Sequence, residues 1–322
     1  MALARIGRGT AIGIAEEVTW GTAVARTHWI RSVSSGLQQT VKKKPRPDLY
    51  GSTAGTRSKH FTESVEAGGP EEWLFGYEGQ GPLWKHALWG TPTTTGPVST
   101  IYTHTYPMSG TVPTGLTIEE IRGTDPTTNA SRVYEGCMID SLEWELSAGG
   151  LLTCRAEIIA ELQAAEGTAG APTFTTNEIE ASHANSGAFI WNGVSNEVRR
   201  AKVSIKNNLG RRNNIGSNYT AQPQPTDFRM VEAEIDLETI NAAFLTGLTA
   251  DTEANATLTI TGAGSRTMTL TLHNAYVDSV ADTISGTDII IQKIKLVGQF
   301  SSGSNFGCSL VIGNTQSSAI AA

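Results

Sequence analysis

The chain has little cysteine, no long apolar run and few charges for its 322 residues. Cys137, Cys154 and Cys308 form an odd set without CxxC spacing, which argues against a disulfide framework or a thiolate zinc site. Cys154 falls at a core position, so reduced thiols are expected and the Asn-x-Ser/Thr triplets at Asn129, Asn218 and Asn255 read as chance matches. No stretch approaches the ~20 apolar residues of a membrane helix, and the N-terminus lacks a signal-peptide core. Cytoplasmic synthesis with no membrane partner is the expectation. The histidines His28, His60, His86, His104, His183 and His273 are scattered, with no HxH, HExxH or Cys/His metal spacing. Nucleophile elbows, phosphate loops and dinucleotide fingerprints are missing too; Gly7-Arg8-Gly9 stops short because Ile12 stands where a third glycine belongs. No cofactor, metal or catalytic constellation is expected, and so no enzyme.

Charged residues are 17% of the chain and the net charge is −7, shared by both halves. Such a surface does not hold duplex DNA tightly, because phosphate affinity comes from basic side chains, but it can surround DNA without adhering. Glu71-Glu72 and Glu119-Glu120 are adjacent acids. On a strand they point to opposite faces, so they read as solvated acids rather than an acid/base pair.

What the chain does have is 34 glycines and many Thr and Ser, the composition of turn-rich β structure. Its organising feature is Met138–Leu162 and an echo at Tyr276–Phe300, aligned without a gap from Asp140 and Asp278 to Leu162 and Phe300. Each copy reads as a β-hairpin by alternation. In the first, Leu152, Cys154, Ala156, Ile158, Ala160 and Leu162 line one face; Thr153, Arg155, Glu157 and Glu161 line the other, with Ile159 out of pattern. In the second, Ile290, Ile294, Leu296 and Phe300 face inward and Lys293, Lys295 and Gln299 outward, with Gln292 the exception. Asp140 and Asp278 recur on the nominally apolar face, where a turn or strand-end role accepting backbone N–H bonds is expected.

A duplicated, mainly β chain follows: two tandem similar β-sandwich or barrel domains, each with a short flanking α-helix and a long loop. The first spans 1–165 and the second 166–302, joined by the linker-like Ala164–Pro172; 303–322 reads as a C-terminal tail or arm. In the first half a strand at His28–Val33 leads to a basic loop, Lys42–Asp48, whose prolines and charges exclude a central strand. Phe61–Ala67 resumes strand character, Pro82–Trp89 reads as a helix ended by Gly90, Thr91–Ser99 as a loop, and His104–Glu120 as one or two strands. In the second half a strand near Val203–Lys206 enters a loop at Asn207–Gln224. Val231-Glu232-Ala233 restates Val65-Glu66-Ala67, and a helix at Glu238–Thr246, closed by Gly247, places Ile240 and Leu245 where Leu83 and Leu88 stand. Alternating strands at Leu258–Ile260 and Met268–Leu272 precede the second hairpin. The two basic loops, with Lys42, Lys43, Lys44 and Arg46 in one and Arg211 and Arg212 in the other, are candidate arms for docking onto acidic neighbours. Glu143, Glu145, Glu157 and Glu161, on the polar face of the first hairpin, form a second candidate surface.

Glu16-Glu17-Val18-Thr19-Trp20-Gly21-Thr22, followed by a strand, resembles the Glu-x-Thr-aromatic-Gly-Thr opening of a bacteriophage tail tube protein family, with Glu17, Thr19, Trp20, Gly21 and Thr22 carrying the motif. The resemblance implies a β domain with one flanking helix and a long loop reaching the next ring. Six such domains make a ring, and stacked rings form the inner tube of a phage tail. A duplicated chain implies three copies per ring. It also implies the virion tail as location after assembly in the host cytoplasm, with tape measure, distal tail and tail terminator proteins as partners. DNA would pass through the lumen without tight binding. Four strands per domain would give 24 around the lumen; at about 4.8 Å each the backbone circle is roughly 37 Å across, leaving an opening on the order of 25 Å. The glutamates above would then be lumen candidates on an acidic wall. Competing readings are another virion β protein (baseplate, decoration or adhesion component) and a carbohydrate-binding β-sandwich that uses its seven tryptophans as stacking platforms.

Overall fold

A computed structural model describes residues 10–45, 59–122, 131–164, 170–174, 180–184, 186–238, 240–283, 290–301 and 305–319. The first half contains β1 (Ala11–Glu16), β2 (His28–Ile30), β3 (Ser32–Ser35), β4 (Gln38–Pro45), β5 (His60–Leu74) and helix α1 (Gly81–Leu88). It continues with β6 (Thr93–Val98), β7 (Ile101–Pro107), β8 (Leu116–Ile121), β9 (Ser131–Ser147), β10 (Thr153–Ala160) and β11 (Leu162–Gln163). The second half begins with β12 (Ser186–Trp191), β13 (Val194–Asn196), β14 (Val198–Lys206), β15 (Leu209–Asn213), β16 (Thr220–Pro225), β17 (Met230–Leu237) and α2 (Ala242–Ala250). It ends with β18 (Ala254–Thr261), β19 (Thr267–Thr283), β20 (Ile291–Gly298), β21 (Phe300–Ser301), β22 (Asn305–Phe306) and β23 (Cys308–Asn314). The chain is mainly β, as its composition implies.

Eight antiparallel strands form one long sheet in the order β4–β5–β10–β9–β14–β17–β20–β19, with β3 continuing the line of β4 along β5. Period-two alternation makes this sheet one-sided: Cys154, Ala156, Ile158, Val203, Ile205, Ala233, Ile235 and Leu296 are buried, and their neighbours along each strand point the other way. β9 and β19, 17 residues each, bend out of the long sheet. The N-terminal part of β9 joins β2–β1–β8, while that of β19 joins β13–β12–β18 on one side and β23–β7–β6 on the other. One apolar core runs between these layers through both halves, from Ile12 to Ala319, and includes Trp73, Trp84, Trp144, Trp191 and Phe244.

The two bends are alike in detail. At the first, Asp140 is skipped between the pairs Ser141–Glu157 and Ile139–Ile158; at the second, Asp278 is skipped between Ser279–Lys295 and Val277–Leu296. These are β-bulges, which re-aim a strand at the cost of one unpaired residue. Asp140 there accepts from the Leu209 N–H at 2.6 Å, and Asp278 pairs with Lys295 at 3.2 Å. A second irregularity falls at Gly136 and at Asn274, both with positive φ (61° and 45°), where the registers with β8 and β18 slip. The ungapped likeness therefore begins near Leu116 and Ala254, earlier than the hairpins. β3 and β14 also correspond: Ser32 and Ser34 flank a register shift against β5, as Val198 and Arg200 do against β17.

Several expectations need correction. Thr91–Ser99 is not all loop, since β6 pairs with β7 as an exposed edge. Residues 303–322 are not simply a tail: β23 lies between β19 and β7, with Leu310 and Ile312 buried, and so splices the first half's hairpin into the second half's sheet. Lys42–Lys44 lie on β4 rather than in a loop, although β4 is an outer strand ending at Pro45, as proline's missing donor requires. By sheet register Val231 corresponds to Ala67, not Val65, because both face the same hairpin position, Gly298 and Ala160. The first helix is closed by Trp89 in the left-handed region (φ 67°), not by Gly90. The second helix begins later than expected: Asn241 caps it through the Ala243 N–H at 2.9 Å, and Gly247 lies inside it, against Trp191. Its buried side chain is Phe244, stacked on Trp191 at 5.0 Å; Ile240 and Leu245 are exposed. Phe300 is exposed as well.

Candidate functional site

The polar face of the long sheet carries an ordered array of charges. Opposite residues of paired antiparallel strands share a face, so the registers place Glu145, Lys202, Glu234 and Lys295 side by side in one row. The adjacent row holds Arg200, Asp236 and Lys293. The signs thus alternate by strand: β9 acidic, β14 basic, β17 acidic, β20 basic. Glu143 meets Lys202 at 2.9 Å and Glu145 meets Arg200 at 2.8 Å; Glu232 lies 3.1 Å from Lys206 and 2.8 Å from Lys295. The Lys295 hydrogen bond holds the Glu232 carboxyl below its usual range against partial burial, and Glu145 raises Arg200.

This arrangement changes the reading of the acidic candidates. Glu143 and Glu145 do lie on the polar face but are matched to cations of β14. Glu157 shares the face, with Arg155 at 3.3 Å. Glu161 leaves the row at the end of β10 and lies against Gly21, where burial and then Glu135 and Glu17 raise its carboxyl. The face is a mixed-sign lattice, not a uniformly acidic wall. Ile159, the apolar exception on it, packs in a separate small cluster with Met138, Leu209 and Trp89.

The basic arms are also engaged. Lys42 pairs with Glu66 at 2.5 Å, which lowers the Glu66 carboxyl, and Lys44 pairs with Glu63, all across the β4–β5 hairpin. Lys43 is exposed on the same strand; Arg46 lies outside the described residues. The second arm is the β15–β16 hairpin, and it folds back onto the first half. Arg211 donates to the Ala67 carbonyl at 2.6 Å and reaches the Ala160 carbonyl at 3.4 Å, while Gln222 donates to the Pro113 carbonyl at 3.0 Å. Arg212 is exposed.

The opening motif is a structural staple. Glu17, buried, accepts from the Gly21 N–H (2.9 Å), the Thr117 hydroxyl (3.0 Å) and the Gly136 N–H (2.8 Å), tying the β1–β2 loop to β8 and the first bend. Gly21 has φ 69°, and a Cβ there would lie 1.8 Å from the Glu161 carboxylate. Trp20 packs against Gly115 and Gly136, Thr22 N–H donates to the Thr19 carbonyl at 3.2 Å, and both threonines are exposed.

Three of the four paired acids are not solvated; the fourth, Glu72, is half-buried and accepts from the exposed Ser34 hydroxyl at 3.0 Å. Glu119 is buried with Arg26 at 2.5 Å and the Ser131 hydroxyl at 2.5 Å; Glu120 is buried with Arg122 at 2.6 Å; Glu71 is buried with the Ser32 hydroxyl at 2.5 Å. The neighbours do face opposite sides, but both sides are covered at Glu119-Glu120, and one side is covered at Glu71-Glu72. Six of the seven tryptophans, Trp29, Trp73, Trp84, Trp89, Trp144 and Trp191, are buried, which removes the stacking platform for carbohydrate. Among the described residues no group of three His, Cys, Asp or Glu is placed to hold a metal, and no helix is long and apolar enough to cross a membrane. The three cysteines are free and buried.

A further group that sequence reading missed joins the halves. Arg229, just ahead of β17, stacks over the Trp89 ring at 4.1 Å. It donates to Asn207 Oδ1 (2.7 Å), to the Ala87 and Leu88 carbonyls at the end of α1 (3.2 and 3.4 Å), and to the Ser109 carbonyl. An arginine after a polar loop carries no local sign of this role.

The family model described as phage tail tube protein matches residues 7–298. No curated protein matches the chain.

Proposed function

The chain belongs to the phage tail tube protein family, and from that premise we propose that three copies close each ring, with stacked rings forming the tail tube through which DNA passes. The observation that carries this reading is the long sheet: eight strands among the described residues, one face packed and one polar, with neither end strand paired on its outer side among those residues. Three copies would supply the 24 strands of a closed wall. Closure through neighbours satisfies edge N–H and C=O groups that a lone chain leaves to solvent or aggregation.

The repeated strand order β4–β5–β10–β9 and β14–β17–β20–β19, with matching bulges, supports a duplicated origin in which each half acts as one tube domain. The β6–β7 hairpin and β23 are then additions that lock the halves together. The mixed-sign face suits the lumen. Its cations on β14 and β20 that already pair with carboxylates give DNA phosphates few sites from which to release counterions, so the duplex slides rather than binds. Tape measure, distal tail and tail terminator proteins are the partners along the virion tail, after assembly in the host cytoplasm.

Electron microscopy of the purified full chain tests the proposal, together with the mass of an isolated ring. Hollow tubes of uniform width and a ring of three times 34.2 kDa are expected. A stable monomer at high concentration, or a ring of six chains, would refute it.

A further inference from the structure

We infer that neighbouring chains join edge to edge in the same register in which β9 joins β14 inside one chain, so that Thr40 of one copy faces Ser279 of the next and Gln38 faces Ala281. This rests on the tube reading above and specifies its contact.

The internal seam is the template. Along it, Lys206 faces Ser141, Ser204 faces Glu143 and Lys202 faces Glu145. β9 corresponds to β19 through the shared bulge, which carries Ser141 onto Ser279 and Glu143 onto Ala281. β14 corresponds to β3 and β4 through the shared shift against β17 and β5, which carries Ser204 onto Gln38 and Lys206 onto Thr40. Among the described residues no strand covers the outer side of β4 or of Val277–Thr283. The two unpaired edges are thus the same two edges that meet within the chain. Each is met by a different edge, so the contact is head-to-tail and generates a ring or a filament.

Side-chain chemistry independently supports the register. At the internal seam both edges are charged and complementary: Glu143 and Glu145 against Lys202 and Arg200. At the free edges the corresponding polar-face positions are all uncharged and short or amide-tipped: Ser34, Gly36, Gln38 and Thr40 against Ser279 and Ala281. Had one edge kept its charges and the other lost them, the seam would strand an unmatched row. At these six positions the lattice instead ends neutrally on both sides, and the charged residues of the two edges, Lys42 and Asp278, stand just beyond them and pair within the chain.

Directly opposite residues on antiparallel strands have Cα atoms about 4.5–5.5 Å apart, within disulfide range, while diagonal neighbours are too distant. The three native cysteines are buried and do not compete. The full chain carrying Thr40→Cys and Ser279→Cys, oxidised after assembly, should give covalent dimers and closed trimers on non-reducing gels. The yield should exceed by about tenfold that of the off-register pair Thr40→Cys with Ala281→Cys. Equal yields, or cross-linking by the off-register pair alone, would overturn the register. Tubes that form without cross-linking of the in-register pair refute this contact and leave the tube reading standing; failure of the unmodified chain to form rings refutes both.

Discussion

Arg229 offers the sharpest test of how the halves are held together. Its guanidinium has no carboxylate within ion-pair distance among the described residues; its partners are three backbone carbonyls, the Asn207 amide oxygen and the Trp89 ring. Burial pushes it down to about 9, well below the usual guanidinium range, so it stays protonated at neutral pH, and the shift corresponds to a desolvation cost of about 5 kcal/mol. Four charge-assisted hydrogen bonds at about 1.5–3 kcal/mol each, with about 1 kcal/mol from the ring and from the helix C-terminus, exceed that cost. Arg229→Met keeps most of the volume, removes every donor, and leaves the Ala87 and Leu88 carbonyls without that partner. A loss of about 3–5 kcal/mol is expected, the range found when one partner of a buried charged contact is removed. Arg229→Lys keeps the charge but not the planar fork, and should lose about 2 kcal/mol. Urea unfolding followed by tryptophan fluorescence measures both. A Met variant within 1 kcal/mol of the parent would show that the guanidinium is not a net stabilising link, and a more stable one would reverse the argument.

Burial raises the Glu71 carboxyl to about 7 from 4.5, against relief from Ser32 and Ser35. Because the folded value lies above the unfolded one, its contribution is fully present below about pH 4.5 and is lost as pH rises through 7, about 3 kcal/mol in all. Glu71→Gln should therefore flatten stability between about pH 4.5 and 7 in thermal melts, and an unchanged slope counts against this assignment. Gly68 has φ 131° and a Cβ there would lie 2.1 Å from the Ile158 carbonyl oxygen, so Gly68→Ala should cost about 3 kcal/mol or more. A denaturation midpoint equal to the parent's would contradict that packing. Replacing Lys42, Lys43, Lys44 and Arg46 with Ser should impair ring stacking while leaving the fold intact, since exposed pairs such as Lys42–Glu66 contribute at most about 1 kcal/mol each. Tubes of normal length from that variant would refute the arm's docking role.

The sequence by itself determined the mainly β class, the matched hairpins, the buried faces of β10 and β20, and the first helix. Each of these is written locally, as a period of two along a strand or as Leu83, Ala87 and Leu88 on one helical face. It also marked Asp140 and Asp278 as misfits, because a bulge breaks local alternation. Only the tertiary structure decided what lies beside what. β6 (TTTGPV) and β4 read as loops because an edge strand has no buried face to impose a pattern, and β23 read as a tail because one of its two partner strands, β7, pairs with it across more than 200 residues of chain. Glu119 read as solvated because the groups that cover it, Arg26 and the Ser131 hydroxyl, come from outside β8. The alternating row of Glu145, Lys202, Glu234 and Lys295 is invisible along any one strand. Charge matching in a sheet is a property of register between strands, and register is set by long-range pairing.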